Sequence, residues 1–317
     1  QIDHPLTARG RKQAEGMAMD LENAKKTRNE LEKKGKAATI TKTEAETLEL
    51  ITNLLESESI LCSPLTRAVQ TACIGLSAHP NIENQRIKVV LVSDVREKRN
   101  FGGRDTTSKS VGHEIVDRVR RKLIKLYPDY KPSHDRFNKM CSMIDIGDST
   151  DIWWNTDAES KKNLRDRVNR FLLHMRYHPA NSHIVVGHSH FFRCLIGEFT
   201  SEEFRKRNPS LTSKLKTSKL DHCAPAAVVL DFGEDEADLP KIEEFRFMFS
   251  RGKLLDDKQR EEKEEGKPLK KVKWKDFLHS VMARYEKDEE LIDGKGDGGE
   301  DAELRESIDI KTAKFHL

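Results

Sequence analysis

At 317 residues the chain has room for one large α/β domain with appendages or for two small domains, and 36% hydrophobic against 35% charged residues implies solvated insertions around a real core. A net charge of only +3 excludes the strongly basic footprint of a dedicated nucleic-acid binder, and no apolar run reaches the roughly 18 residues that a membrane-spanning helix needs. Cys62, Cys73, Cys141, Cys194 and Cys223 are odd in number and scattered, with no Cys-x-x-Cys pair, which predicts free thiols in a reducing, intracellular and cytoplasmic setting. No secretory signal opens the sequence; its first residue is Gln1, not methionine, and a targeting segment ahead of it stays open.

The opening Asp3-His4-Pro5-Leu6-Thr7 leads into a helix with Thr7 as N-cap and Ala14, Met17, Ala18 and Leu21 on one face. From Glu22 to Glu49 Lys, Glu, Thr and Ala dominate without apolar period, a charged insertion that reads as a solvated helical hairpin or a mobile segment. Ser59 to Cys62 is a short apolar strand, ended by Ser63-Pro64 and followed by a helix carrying Leu65, Ala68, Val69, Ala72 and Leu76. Further strands are expected at Ile87 to Val92 and Ser182 to Val186, the second entering a helix with Phe191, Phe192, Leu195 and Phe199. Leu164, Val168, Phe171, Leu172 and Met175 mark an amphipathic helix between them. Alternating strands and helices imply a mainly parallel sheet, to which Ala226 to Phe232 and Ile242 to Phe249 add an antiparallel pair at one edge. Beyond Arg251 a Lys/Glu-rich tail over 251–317 carries one amphipathic helix near 273–286, from Trp274 to Tyr285, which can fold back on the domain or meet a protein partner. The core, 1–250, is expected to fold without this tail.

In parallel sheets ligands collect beyond the carboxyl ends of the strands. Three turns there carry charged or titratable groups: Ser63 to Arg67, Val95 to Lys98, and Gly187 to His190. Together they suit a phosphate ester. Arg67 can grip phosphoryl oxygens through paired donors, backbone N–H groups after His188 favour an anion, and a partly desolvated Glu97 can keep a proton for the leaving oxygen. The neighbouring Arg96, Lys98 and Arg99 also allow Glu97 to be one member of a surface ion-pair cluster. His183, His188 and His190 invite a zinc reading, but His183 and His188 fall on opposite faces of a strand and no carboxylate or cysteine completes the set, so no metal is expected.

These residues carry a family likeness. Asp3 to Gly10 with Gln13-Ala14, Ser63-Pro64-Leu65-Thr66-Arg67-Ala68 with Gln70-Thr71-Ala72, and Val186-Gly187-His188-Ser189-His190 resemble successive blocks of the histidine phosphatase superfamily, which includes the phosphoglycerate mutases. Glu97 falls where that family places its proton donor, and Trp153-Trp154, Glu159-Ser160 and the helix of Arg167 fit its usual spacing. The likeness runs from about Asp3 to Phe249.

The resemblance implies a three-layer α/β/α sandwich, with a mainly parallel sheet and an antiparallel edge strand, that hydrolyses phosphomonoesters through a phosphohistidine without metal or organic cofactor. Arg67 and His188 would bind the phosphoryl group, Ser189 would offer a backbone N–H, and Glu97 would protonate the leaving group and then activate water. The family's Arg-His-Gly, source of the nucleophilic histidine, has no counterpart, and His4 lies too late in the motif order to replace it. The first strand and the nucleophile are therefore expected upstream of Gln1, two strand edges should stand unpaired in mid-sheet, and the chain should bind phosphate-like anions while turning over almost nothing. The alternatives are phosphoglycerate mutase-type phosphotransfer, whose arginine pair and proline-rich lid are not evident after Trp154, and a non-catalytic phosphate-binding or scaffold protein. The phosphorylated substrate itself stays open.

Overall fold

The structure is a computed structural model that describes residues 2–37, 39–100, 105–128, 131–235, 238–249, 254–255 and 312–316. Two long helices come first, α1 (Ala8–Lys36) and α2 (Lys42–Leu55). Thr7 caps α1 by accepting the Gly10 N–H, while Thr41 and Glu44 form a reciprocal capping box on α2. The charged stretch from Glu22 to Glu49 is thus a helical hairpin whose inner face buries Ala24, Thr27 and Leu31, so it is part of the wall of the domain.

The chain continues through β1 (Ser59–Cys62), α3 (Thr66–Gly75), a single turn α4 (Pro80–Glu83) and β2 (Val89–Leu91). Then come α5 (His113–Leu126), α6 (Lys131–Ser142), β3 (Ile144–Asp145), α7 (Lys161–Tyr177) and β4 (Ser182–Val186). The last group is α8 (Ser189–Phe199), α9 (Glu202–Arg207), α10 (Pro209–Thr217), β5 (Lys219–Leu220), β6 (Ala226–Asp231), β7 (Lys241–Phe247), β8 (Leu254–Leu255) and β9 (Thr312–His316).

Seven strands form one sheet in the order β3-β2-β1-β4-β9-β6-β7, and β5 pairs with β8 apart from it. The first five run parallel; β6 is antiparallel to β9 and to β7, which puts the expected antiparallel pair at one edge. Alternation of side chains across the sheet builds two cores. Ile60, Cys62, Val89, Leu91 and Ile184 face the helices α1, α2, α3, α5 and α6. Leu61, Val185, Ala226, Val228 and Leu230 face α7, α8, α9 and α10 on the other side. The result is the expected three-layer α/β/α sandwich. Among the described residues no helix is long and apolar enough to cross a membrane.

One finding departs from the reading of the sequence. The place between β4 and β6 is not left with two bare edges, because β9 fills it: Ser182, His183 and Ile184 pair with Lys314, Phe315 and His316, and β6 pairs along the full length of β9. The segment after Arg251 therefore supplies an interior strand and is more than an appended tail; the region near 273–286, expected as an amphipathic helix, lies outside the described residues. Hydrogen bonds net about 0.5–1.5 kcal/mol each, so deleting residues 312–317, which strips one ladder from β4 and one from β6, should lower stability by about 3 kcal/mol or more. Urea unfolding followed by circular dichroism should show an earlier, broader transition.

Candidate functional site

The switch point of the sheet lies between β1 and β4: the chain leaves β1 toward β2 and β3 on one side, whereas β4 joins β1 on the other. Turns leaving adjacent strands in opposite directions open a crevice at their carboxyl ends. Ser63, just past β1, donates its N–H to the Val186 carbonyl at 2.9 Å and so extends the ladder into the turn. Its hydroxyl shares a 2.8 Å hydrogen bond with His188 Nε2, just past β4. Both groups are buried, Ser63 fully.

The start of α3 is fixed by a residue far away in sequence. Asp3, 2% exposed, accepts the Thr66 N–H and the Thr66 hydroxyl, each at 2.8 Å, and Arg118 approaches the same carboxylate at 3.6 Å. An acidic group on the free N–H groups of a helix start complements both the donors and the dipole. This anchoring sets the direction of Arg67, which donates through Nη1 to the Asp105 carbonyl at 2.9 Å and lines the crevice.

Glu97 follows a short 3-10 turn, Ser93–Val95, after β2. That turn is pinned at both ends. Ser93 donates its N–H and hydroxyl to Asp148, and the buried Arg167 of α7 donates to the Asp94 and Arg96 carbonyls at 2.6 and 2.8 Å. Arg167 is held in turn by Glu159 through two hydrogen bonds of 2.8 and 2.7 Å. Gly187, between β4 and His188, packs so closely against the turn that a Cβ there would meet Val95 Cγ1 at 2.7 Å and Phe192 Cζ at 2.8 Å.

Arg67, Glu97, His188 and Ser189 all line one cavity of about 270 Å³, with Leu6, Met17, Leu76 and Phe192 among its apolar walls. Val185 and Val186 of β4 and Pro225 before β6 also line it, just past the positions where β9 stops pairing. Ser189 opens α8, and the first backbone bond of that helix runs from Phe192 to His188, leaving the N–H groups of the first turn without acceptors inside the helix.

The protonation of Glu97 differs from the expected one. Burial, and then the charge of Arg67, push His188 down to about 3, so at neutral pH it acts as an uncharged hydrogen-bonding ring. Glu97 does not keep a proton in the resting site. Burial pushes its carboxyl up, but the His190 hydrogen bond, the charges of His188 and His190 and the Lys98 N–H together outweigh burial and bring it down to about 2. Because His188 is neutral above that range, its share falls away at pH 7; the 3.2 Å contact to His190 Nδ1 and the 2.9 Å Lys98 N–H remain. The cluster of Arg96, Lys98 and Arg99 is thus not what governs Glu97, since Arg96 turns back to the Ser93 carbonyl and Arg99 to the Thr156 carbonyl.

His183 takes no part in the crevice: its Nδ1 bonds the Ser59 hydroxyl at 2.6 Å and its ring packs edge-on to His178. Sequence reasoning assigned no role to Ser63, to the Arg167–Glu159 pair or, beyond the rejected metal set, to His190. Each lies inside a motif block, and its partner is set only by the meeting of β1, β2 and β4. No family model, curated protein or solved structure matches the chain.

Two stability outcomes follow. Replacing Arg167 by Met strips the buried Glu159 carboxyl of both guanidinium hydrogen bonds and leaves it only Arg96 at 4.0 Å, which should cost about 3 kcal/mol or more in chemical unfolding. For pH, burial first lowers both His183, to about 4, and His188, to about 3, so each binds a proton on unfolding below the usual histidine value. Stability should fall by up to about 1.4 kcal/mol per pH unit for each ring as pH drops from about 6.5 toward those values. Glu97, shifted the other way, adds a loss only below the usual carboxylate range, as pH falls toward about 2. Urea midpoints measured from pH 7 to pH 4.5 should decline, and His188→Gln should flatten the decline.

Proposed function

We propose that this chain is the phosphate-binding and acid–base part of a phosphomonoester hydrolase that works through a phosphohistidine, as its resemblance to the histidine phosphatase superfamily implies. The observation that carries this reading is the convergence of Arg67, His188, the first turn of α8 and Glu97 on one cavity at the switch point of a parallel sheet. A phosphoryl group there meets a guanidinium, an uncharged imidazole and free backbone N–H groups, which together stabilise the charge on its equatorial oxygens. Glu97 lines the same cavity, and serves as the acid in the first step and the base for water in the second. The nucleophilic imidazole that the resemblance implies would act in the cavity beside Arg67 and His188. Free cysteines, three of them buried, agree with an intracellular, reducing setting.

Supplying the nucleophile from solution tests this with the chain as it stands. Added imidazole should enter the cavity, attack phosphorus as the ester P–O bond breaks, and leave a phosphoimidazole that water hydrolyses. With 4-nitrophenyl phosphate the chain alone should release almost no nitrophenol. Imidazole should raise the rate at least about tenfold over the same concentration in buffer, since positioned charge and acid–base groups are worth about 10²–10⁴-fold each. Arg67→Ala should abolish the gain and should also abolish the line broadening of inorganic phosphate in ³¹P NMR. Equal imidazole-dependent rates in the parent and in Arg67→Ala would remove the hydrolase reading. Phosphate binding without any rescue would favour a non-catalytic phosphate-binding role.

A further inference from the structure

His190 stands in the first turn of α8, two residues past His188, with its side chain only 20% exposed and its Nδ1 3.2 Å from Glu97 Oε1. Among the described hydrogen bonds to the Glu97 side chain, the other donor is the Lys98 backbone N–H, which cannot give up its proton. A general acid must hold a proton when the ester bond breaks. Glu97, held as a carboxylate by these donors, needs a proton source within reach.

We infer that His190 is a positioning residue for Glu97: its Nδ1–H holds the carboxylate in place and hands it the proton that the leaving oxygen takes. This rests on the hydrolase reading above. In the resting pair Nδ1 of His190 faces the Glu97 carboxylate at 3.2 Å. Entry of a phosphoryl dianion between Arg67 and His188 places negative charge beside that carboxylate and raises its affinity for a proton. The proton moves from Nδ1 to Oε1, then to the leaving oxygen as the P–O bond breaks, and Glu97 is a carboxylate again. His190 then regains the proton from solvent, and Glu97 is ready to accept a proton from the water that attacks the phosphoimidazole.

The charged and titratable groups around the pair come from several elements. His188 lies on the same turn, Lys98 follows Glu97, and Arg67 on α3 and Asp221 and His222 before β6 line the shared cavity. Arg167 on α7 fixes the loop from behind through the Asp94 and Arg96 carbonyls. The side chains of His188, Arg67 and Arg167 bond elsewhere, to the Ser63 hydroxyl, to the Asp105 carbonyl, and to Glu159 with the Asp94 and Arg96 carbonyls, whereas His190 Nδ1 meets Glu97 Oε1 directly.

Two substitutions separate holding from proton supply. His190→Ala removes both, whereas His190→Gln keeps an amide donor without a transferable proton. Followed by ¹³C NMR of the side-chain carboxyl, the Glu97 midpoint should rise by about one unit or more in His190→Ala, since burial then acts with less opposition, and should stay low in His190→Gln. In the imidazole-supplemented assay, His190→Gln should lose at least about tenfold more rate on phenyl phosphate, whose leaving oxygen needs a proton, than on 4-nitrophenyl phosphate, whose leaving oxygen does not. An unmoved Glu97 midpoint in His190→Ala, or equal losses on the two esters, overturns the proposal. The carboxyl titration judges the pair even if no ester is cleaved, and ³¹P detection of phosphate binding at Arg67 judges the hydrolase reading separately.

Discussion

A guanidinium sealed from water is tolerated when each of its nitrogens meets an acceptor, and at Arg167 that requirement ties three parts of the molecule together. Its Nε and Nη2 are taken by Glu159, its Nη1 by the Asp94 and Arg96 carbonyls, and its Cζ lies 5.8 Å from the centre of the Phe191 ring on α8. The loop after β2, the start of α7 and the first turn of α8 therefore cannot move independently. Glu97 leaves that loop, and His188 and His190 leave that turn, so the spacing of the crevice is inherited from a group that never enters it.

Around this anchor the crevice arranges charge economically. Among the described residues one guanidinium, that of Arg67, faces the cavity, while the adjacent imidazole is kept neutral by burial and by that cation, and the carboxylate is kept ionised by donors aimed at it. A site with a single cation and several neutral donors attracts an anion without binding it so tightly that release is blocked, because each neutral donor gains most when charge develops in the transition state.

Much of this was legible before any coordinates. The strands at Ser59–Cys62, Ser182–Val186 and Ala226–Asp231 are apolar runs bounded by turn residues, and they form where the pattern puts them. Arg67, Glu97, His188 and Ser189 stand at strand-to-helix turns, which alone is enough to bring them near one rim. The protonation of Glu97 was not legible, because sequence offers as neighbours the adjacent Arg96 and Lys98 and hides His190, 93 residues away. α5 escaped because charged residues surround its narrow stripe of Ile115, Val116, Val119 and Leu123. β9 escaped for a different reason. Thr-Ala-Lys-Phe-His reads as part of a polar tail, and only the open place between β4 and β6, set by distant pairing, gives it a structural role.

The position of β9 also bears on the order in which the molecule comes together during synthesis. Strands β1 to β7 all precede residue 248, yet the strand that joins β4 to β6 lies beyond residue 311. Until residues 312–316 leave the ribosome, the two halves of the sheet lack the β9 ladders between them, and each presents a row of unpaired N–H and C=O groups. Bare strand edges of that kind recruit other chains, and contacts across such long loops form late. The nascent protein thus passes through an interval in which its cores are largely made but its sheet is split. During that interval shielding by a chaperone, more than the final stability of the fold, would govern how much of it survives.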